Sequence, residues 1–193
     1  MNRIDDPRAV FYLRHQTLIE EWAALGASAS ELAHSFLCSC ADDIAGLAPE
    51  LSPGAQVHKS LEGAWPKVLL VSPEWMELSE GELVPKVGIG LEWNKTKSLN
   101  FTTSPGCVYT GVWVDTSIDG GKELWRSLRA AFGEAGLIKA HKLATGAWWP
   151  AYRYEHATGE YWDDLAPYRA QLVGSVRLFW MLFEPRIRKV LAG

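Results

Sequence analysis

Metal binding, nucleophilic catalysis and ring stacking are the three chemistries for which this sequence carries the necessary residue types. Cys38 and Cys40 stand two apart in a stretch of helical periodicity. That spacing turns their sulfurs about 200° apart around the axis, so they cannot hold one ion together, and they read as core thiols. His15, His34, His58, His141 and His156 form no pair at ligand spacing and have no Cys or carboxylate companion in a zinc pattern. No metal site and no cofactor are expected. Gly120-Gly121-Lys122 precedes a helical stretch, but the spacing and the Ser or Thr of a phosphate-binding loop are missing, which leaves a turn and a helix start. Gly88-Ile89-Gly90 lies inside a strand pattern and lacks the third glycine of a dinucleotide fingerprint.

Carboxylates are the next test, because a metal-dependent nuclease needs them to converge on a divalent ion. Glu92 and Asp115 stand at strand ends with Lys95 nearby. If the two strands pair about a midpoint near residue 100, Glu92 lies opposite residue 108. Asp115 is then seven residues further on, about 20 Å away at roughly 3.3 Å per residue. Carboxylates that share a metal come within about 5 Å of each other. Nothing in the sequence brings Glu74 to the same spot, so no residue is assigned a catalytic role.

Aromatic residues are the distinctive feature. The chain has 193 residues and ten Trp, and seven of its 22 aromatics fall between Trp148 and Tyr168. Strand alternation sets Trp148, Tyr152 and Tyr154 on one face and Trp149, Arg153 and Glu155 on the other. Planar rings beside an arginine suit stacking on bases and suit protein hot spots equally. Trp149, Arg153, Tyr161 and Trp162, with the basic end Arg186, Arg188 and Lys189, are therefore the candidate binding residues. Trp149 and Arg153 are expected to be exposed on a shared face. Trp22, Trp113, Trp125 and Trp180 are expected to be buried.

The elements that must position these residues follow from periodicity. From Pro7 to about Leu25, Phe11, Leu18, Trp22 and Leu25 recur at steps of three, four or seven, and Gly26 predicts the end of a helix. Ser28 and Glu31 have capping-box spacing, and Leu32, Phe36, Cys40, Ile44 and Leu47 trace a second helix, so residues 1–47 are expected to form a helical hairpin. Residues 48–66 read as a connecting loop. Lys67–Ser72 reads as a short strand. Val87–Trp93 and Cys107–Asp115 alternate with period two and predict an antiparallel pair. A helix follows from Lys122 to about Ala135, then a strand over Trp148–Glu155, and a long helix from about Ala166, interrupted near Pro185. The expected fold is α+β: a single domain over 1–193, with an N-terminal helical hairpin, a small, mainly antiparallel sheet over 67–193 and a long C-terminal helix packed on it.

Composition and charge bound the function. A chain with 48% hydrophobic and 22% charged residues is globular, not a fibrous or disordered one. No apolar run approaches the roughly 18 residues of a membrane span and the start has no signal-peptide pattern, so a cytoplasmic protein with no membrane contact is expected. The net charge of −4 hides a gradient: residues 1–41 hold five acids against three bases, 42–82 eight against two, and 83–193 ten against fourteen. Such a gradient marks either a charged partner or complementary faces of one molecule.

Residues 86–191 resemble the region that follows the catalytic core in some prokaryotic members of the PD-(D/E)xK nuclease superfamily. The likeness is carried by VGIGLEW, VYTGVWVD, ELWRSLRAAF, WWPAYRYE and FWMLFEPRIRKVL. The superfamily's catalytic signature has no counterpart, because Glu92-Trp93-Asn94 lacks its lysine. The resemblance implies association with nucleic-acid-processing or anti-phage systems without cutting activity. The expectation is a non-catalytic binding protein of a bacterial or phage conflict system, acting in defence, counter-defence or toxin immunity, with a protein partner or nucleic acid. The alternatives are a metal-dependent nuclease and an acidic DNA mimic that uses Glu74, Glu77, Glu80 and Glu82.

Overall fold

The computed structural model describes residues 6–79, 81–95, 108–156 and 164–193. The chain is α+β. Helix α1 spans Pro7–Gly46, followed by a short α2 at Ala48–Leu51. Strands β1 (Gln56–Ser60) and β2 (Lys67–Val71) lead through a 3-10 turn into a hairpin of β3 (Met76–Ser79) and β4 (Glu82–Pro85). Then come β5 (Val87–Trp93), β6 (Val108–Val114), α3 (Gly121–Glu134), α4 (Leu137–Ala140), β7 (Ala151–Tyr154) and α5 (Ala166–Leu191). Five strands make one antiparallel sheet in the order β1-β2-β5-β6-β7, with β3-β4 as a separate ribbon.

The expected helical hairpin is corrected: residues 7–46 form one helix of 40 residues. Gly26 does not take up the left-handed backbone of a helix-ending glycine. Its neighbours Ala23, Ala24, Ala27 and Ala29 are the strongest helix formers, and they outweigh the cost of about 1 kcal/mol for one interior glycine. Only the second half of α1 enters the core, through Ala33, Leu37, Cys40, Ala41 and Ile44. Trp22, expected to be buried, is 69% exposed. Helix α5 is likewise unbroken at Pro185. The hydrogen bond that Pro185 cannot donate would go to Met181, on the exposed flank.

The two faces of the sheet differ. Val68, Leu70, Val87, Ile89, Leu91, Trp93, Val112 and Val114 point to one side, where α1, α3 and α5 cover them and Trp75, Trp180, Phe179 and Phe183 complete the core. The opposite face carries Lys67, Leu69, Val71, Glu92, Tyr109, Trp113, Tyr152 and Tyr154 by the same alternation. Among the described residues, no helix packs there. Its glycines let strands and rings approach closely: a Cβ on Gly90 would lie 1.8 Å from the Val68 carbonyl oxygen, and one on Gly111 would lie 2.4 Å from that of Ala151.

Candidate functional site

The face of the sheet opposite the core holds a cleft of about 470 Å³ lined by Trp65, Lys67, Glu92, Tyr109, Trp113, Trp148, Trp149, Tyr152 and Tyr154. Register explains the convergence. Glu92 on β5 pairs with Lys67 on β2 and with Tyr109 on β6, and Tyr109 pairs in turn with Tyr154 on β7. Four neighbouring strands therefore bring a cation, a carboxylate and two phenols into one row. The segment 144–149 folds back over this face: Ala144 bridges to Tyr152, and the Trp125 indole donates to the Gly146 carbonyl at 3.1 Å. Val114 N–H donates to the Trp148 carbonyl at 2.8 Å, which pins the two tryptophans over the sheet.

Glu92 lies at the floor, 6% exposed. The Tyr109 hydroxyl donates to its Oε1, and Lys67 Nζ stands 4.0 Å from its Oε2. Burial pushes the Glu92 carboxyl above its ordinary range, against hydrogen bonding from Tyr109, the Lys67 charge and hydrogen bonding from Trp149, which pull it down. Burial, reinforced by the carboxylate, drives the Tyr109 phenol well above its usual range, so it stays a donor. The Tyr152 phenol, 3.1 Å from that of Tyr154, is pushed up to about 12, first by burial.

The rings form a connected wall. Tyr109 meets Trp149 edge-on at 5.2 Å and Tyr152 at 5.5 Å, while Trp113 and Trp148 stack within 10° of parallel at 6.1 Å. Lys67 sits 5.0 Å above the Trp113 ring. Trp65, Trp148 and Tyr154 keep over a third of their surface exposed and form the rim.

Of the candidate binding residues that are described, Trp149 alone belongs to this cleft, and it is buried, not exposed. Strand β7 begins at Ala151, so strand alternation does not extend back to Trp149. Trp149 packs with Leu69, Val71 and Trp113. Arg153 points the other way, donating to Glu155 at 2.9 Å and to Ser175 at 2.5 Å, with its guanidinium over Phe179. It ties β7 to α5. Tyr161 and Trp162 lie outside the described residues. Arg186 and Lys189 line a separate groove with Ala131 and Glu134, and Arg188 pairs with Glu184 and Glu74. Trp113 and Trp180 are buried as expected, and Trp125 is half-buried.

Glu74, Glu92 and Asp115 do not converge. Glu92 faces the cleft, Glu74 lies against α5, and Asp115 sits across from Lys86 at the far end of β5, where it accepts from Ser117. Among the acids of the proposed mimic, Glu74 and Glu77 are ion-paired to Arg188 and Lys86, while Glu80 lies outside the described residues. Cys40 is buried, which pushes its thiol up to about 12. Burial also raises Cys38 and lowers its neighbour His34, so the pair is held as thiol and neutral imidazole. Comparison with protein-family models, curated proteins and solved structures returned no match.

Proposed function

We propose that this chain is a binding protein whose aromatic cleft takes a planar heterocycle, and that a purine with a guanine-type edge is the class that fits it best. The observation that carries the reading is Glu92 beside Lys67 beneath a wall of rings. A guanine edge presents a carbonyl oxygen next to two N–H donors. Lys67 is a donor for the oxygen and Glu92 an acceptor for the N–H groups, while the rim rings supply faces for stacking. Single-stranded nucleic acid is commonly read in this way, by stacking and by hydrogen bonds to the base edge. A methylated-ammonium ligand fits less well, because Lys67 already occupies the face of Trp113 and would repel a second cation. The setting in a bacterial or phage conflict system rests on the resemblance of residues 86–191, in which a non-cutting partner of a nucleic-acid machine would need such a site.

Titration of guanine and adenine mononucleotides, followed by tryptophan fluorescence, tests this. Guanine should bind about tenfold or more tighter, since a good bidentate contact discriminates by roughly 1–3 kcal/mol. Equal affinities, or no quenching by either, would overturn it.

A further inference from the structure

We propose that the chain pairs with a second copy of itself through the projecting first half of α1, as an antiparallel two-helix seam. This inference is independent of what the cleft binds. Helix α1 begins at Pro7 and its first buried residue is Ala33. Ser30 already bonds to the Lys95 carbonyl, so about 22 residues, or roughly 33 Å at 1.5 Å per residue, extend beyond the core. An amphipathic helix of that length gains little in water unless its apolar face is covered.

That face has the spacing of a coiled-coil seam. Phe11, Leu18 and Leu25 fall every seven residues, and His15 and Trp22 each follow four later, the alternation of three and four that defines d and a positions. Phe11, Leu18, Trp22 and Leu25 are 60%, 49%, 69% and 67% exposed. A whole Phe or Trp buries about 150–250 Å², so the exposed fractions of Phe11 and Trp22 come to about 400–650 Å² over two copies. The leucines bring the total toward the roughly 1,200 Å² at which specific interfaces begin.

Charge selects the second copy and its direction. In this heptad phase Arg14 and Glu21 occupy g positions, and neither has an ion pair within the chain among the described residues. Antiparallel pairing about a point between residues 16 and 17 sets Arg14 against the partner's Glu21, and Glu21 against the partner's Arg14. The same register stacks Phe11 on the partner's Trp22 and His15 on the partner's Leu18. Sliding by one heptad sets Glu21 against Glu21 or Arg14 against Arg14. Parallel pairing turns Arg14 toward Ile19 and Glu21 toward Gly26, which leaves both charges unmatched. In the favoured register the overlap ends near Gly26, so the two cores lie at opposite ends without collision.

Sedimentation of the full chain across a concentration series tests the proposal. A reversible dimer is expected within about 100 µM, above the micromolar range reached by weak interfaces of this size. Leu18→Glu should give a monomer with an unchanged thermal melt, since this half of α1 lies outside the core. Arg14→Glu should weaken the dimer about tenfold, because two symmetry-related pairs turn from attraction to repulsion. Adding Glu21→Arg should restore it. A wild-type monomer throughout the series, with the face left for a different partner, would overturn the proposal. So would a dimer indifferent to Leu18→Glu, or a charge swap that fails to rescue Arg14→Glu.

Discussion

At the scale of single residues, the proposed role of Glu92 sets stability against binding. Its folded-state pKa lies above the ordinary value of 4.5, mainly because burial penalises the charged form. The folded state then holds the proton more tightly than the unfolded chain does, so the contribution of Glu92 to stability is fullest in acid and is lost as pH rises through that window. Glu92→Gln keeps an acceptor for Tyr109 and removes the ionisation cost. Urea unfolding should find the variant gaining on the parent as pH rises from 4 to 7, while guanine binding at neutral pH falls about tenfold or more, since a charge-assisted bond is lost. A variant that binds like the parent would remove Glu92 from the site. The two neighbouring tryptophans should separate in the same way. Trp149, 5% exposed, should cost about 3–5 kcal/mol on truncation to alanine, whereas Trp148, 39% exposed, should cost less stability and more binding. Thermal melts and fluorescence titrations of the pair read both effects.

At the scale of elements, what was legible in the sequence was what repeats. The period-two runs at Val87–Trp93 and Val108–Val114 predicted the central pair, and the expected register, Glu92 opposite residue 108, is one residue from the observed Glu92 and Tyr109. Strand β1 carries no strand pattern because Gln56, His58, Lys59 and Ser60 make it polar, as an edge strand tolerates, and β3-β4 is hidden by its acids. The hairpin expected in α1 came from local signals at Gly26 and Ser28 that the alanine-rich helix overrides. In the site, nothing local marks Lys67, Tyr109 and Trp113 for binding, because only register across three strands brings them to Glu92. The glycines that allow this closeness make a direct test. Gly111→Ala would drive a methyl into the Ala151 carbonyl and the Tyr152 Cβ, at 2.4 and 2.6 Å. A loss of about 1–3 kcal/mol is expected from such overpacking in chemical denaturation, with the cleft's tryptophan emission shifting as β7 is pushed away. An unchanged melt would mean that β6 and β7 can part without cost.

At the scale of the whole molecule, the charge gradient along the sequence is folded back on itself. Arg169 pairs with Asp43, Arg177 with Glu50, Lys86 with Glu77 and Arg188 with Glu74, so bases from residues 83–193 meet acids from residues 42–82. These pairs neutralise four of the fourteen bases in residues 83–193, and among the described residues lining the cleft Lys67 is the sole cation. With a net charge of −4, the protein as a whole repels a phosphate backbone. Affinity must come from stacking and edge contacts, and this fixes how binding responds to salt. Each phosphate neutralised on a single strand contributes a slope of about −0.7 in log K against log salt, so a ligand held by its base should give a slope between zero and about −1. A guanine mononucleotide and a longer guanine-rich strand should differ little in affinity per base. Titrations from low to physiological salt distinguish the cases: a slope of several units, or affinity that climbs with strand length regardless of base, would mean that phosphates are being tracked on another face, and the cleft would lose its claim to the ligand.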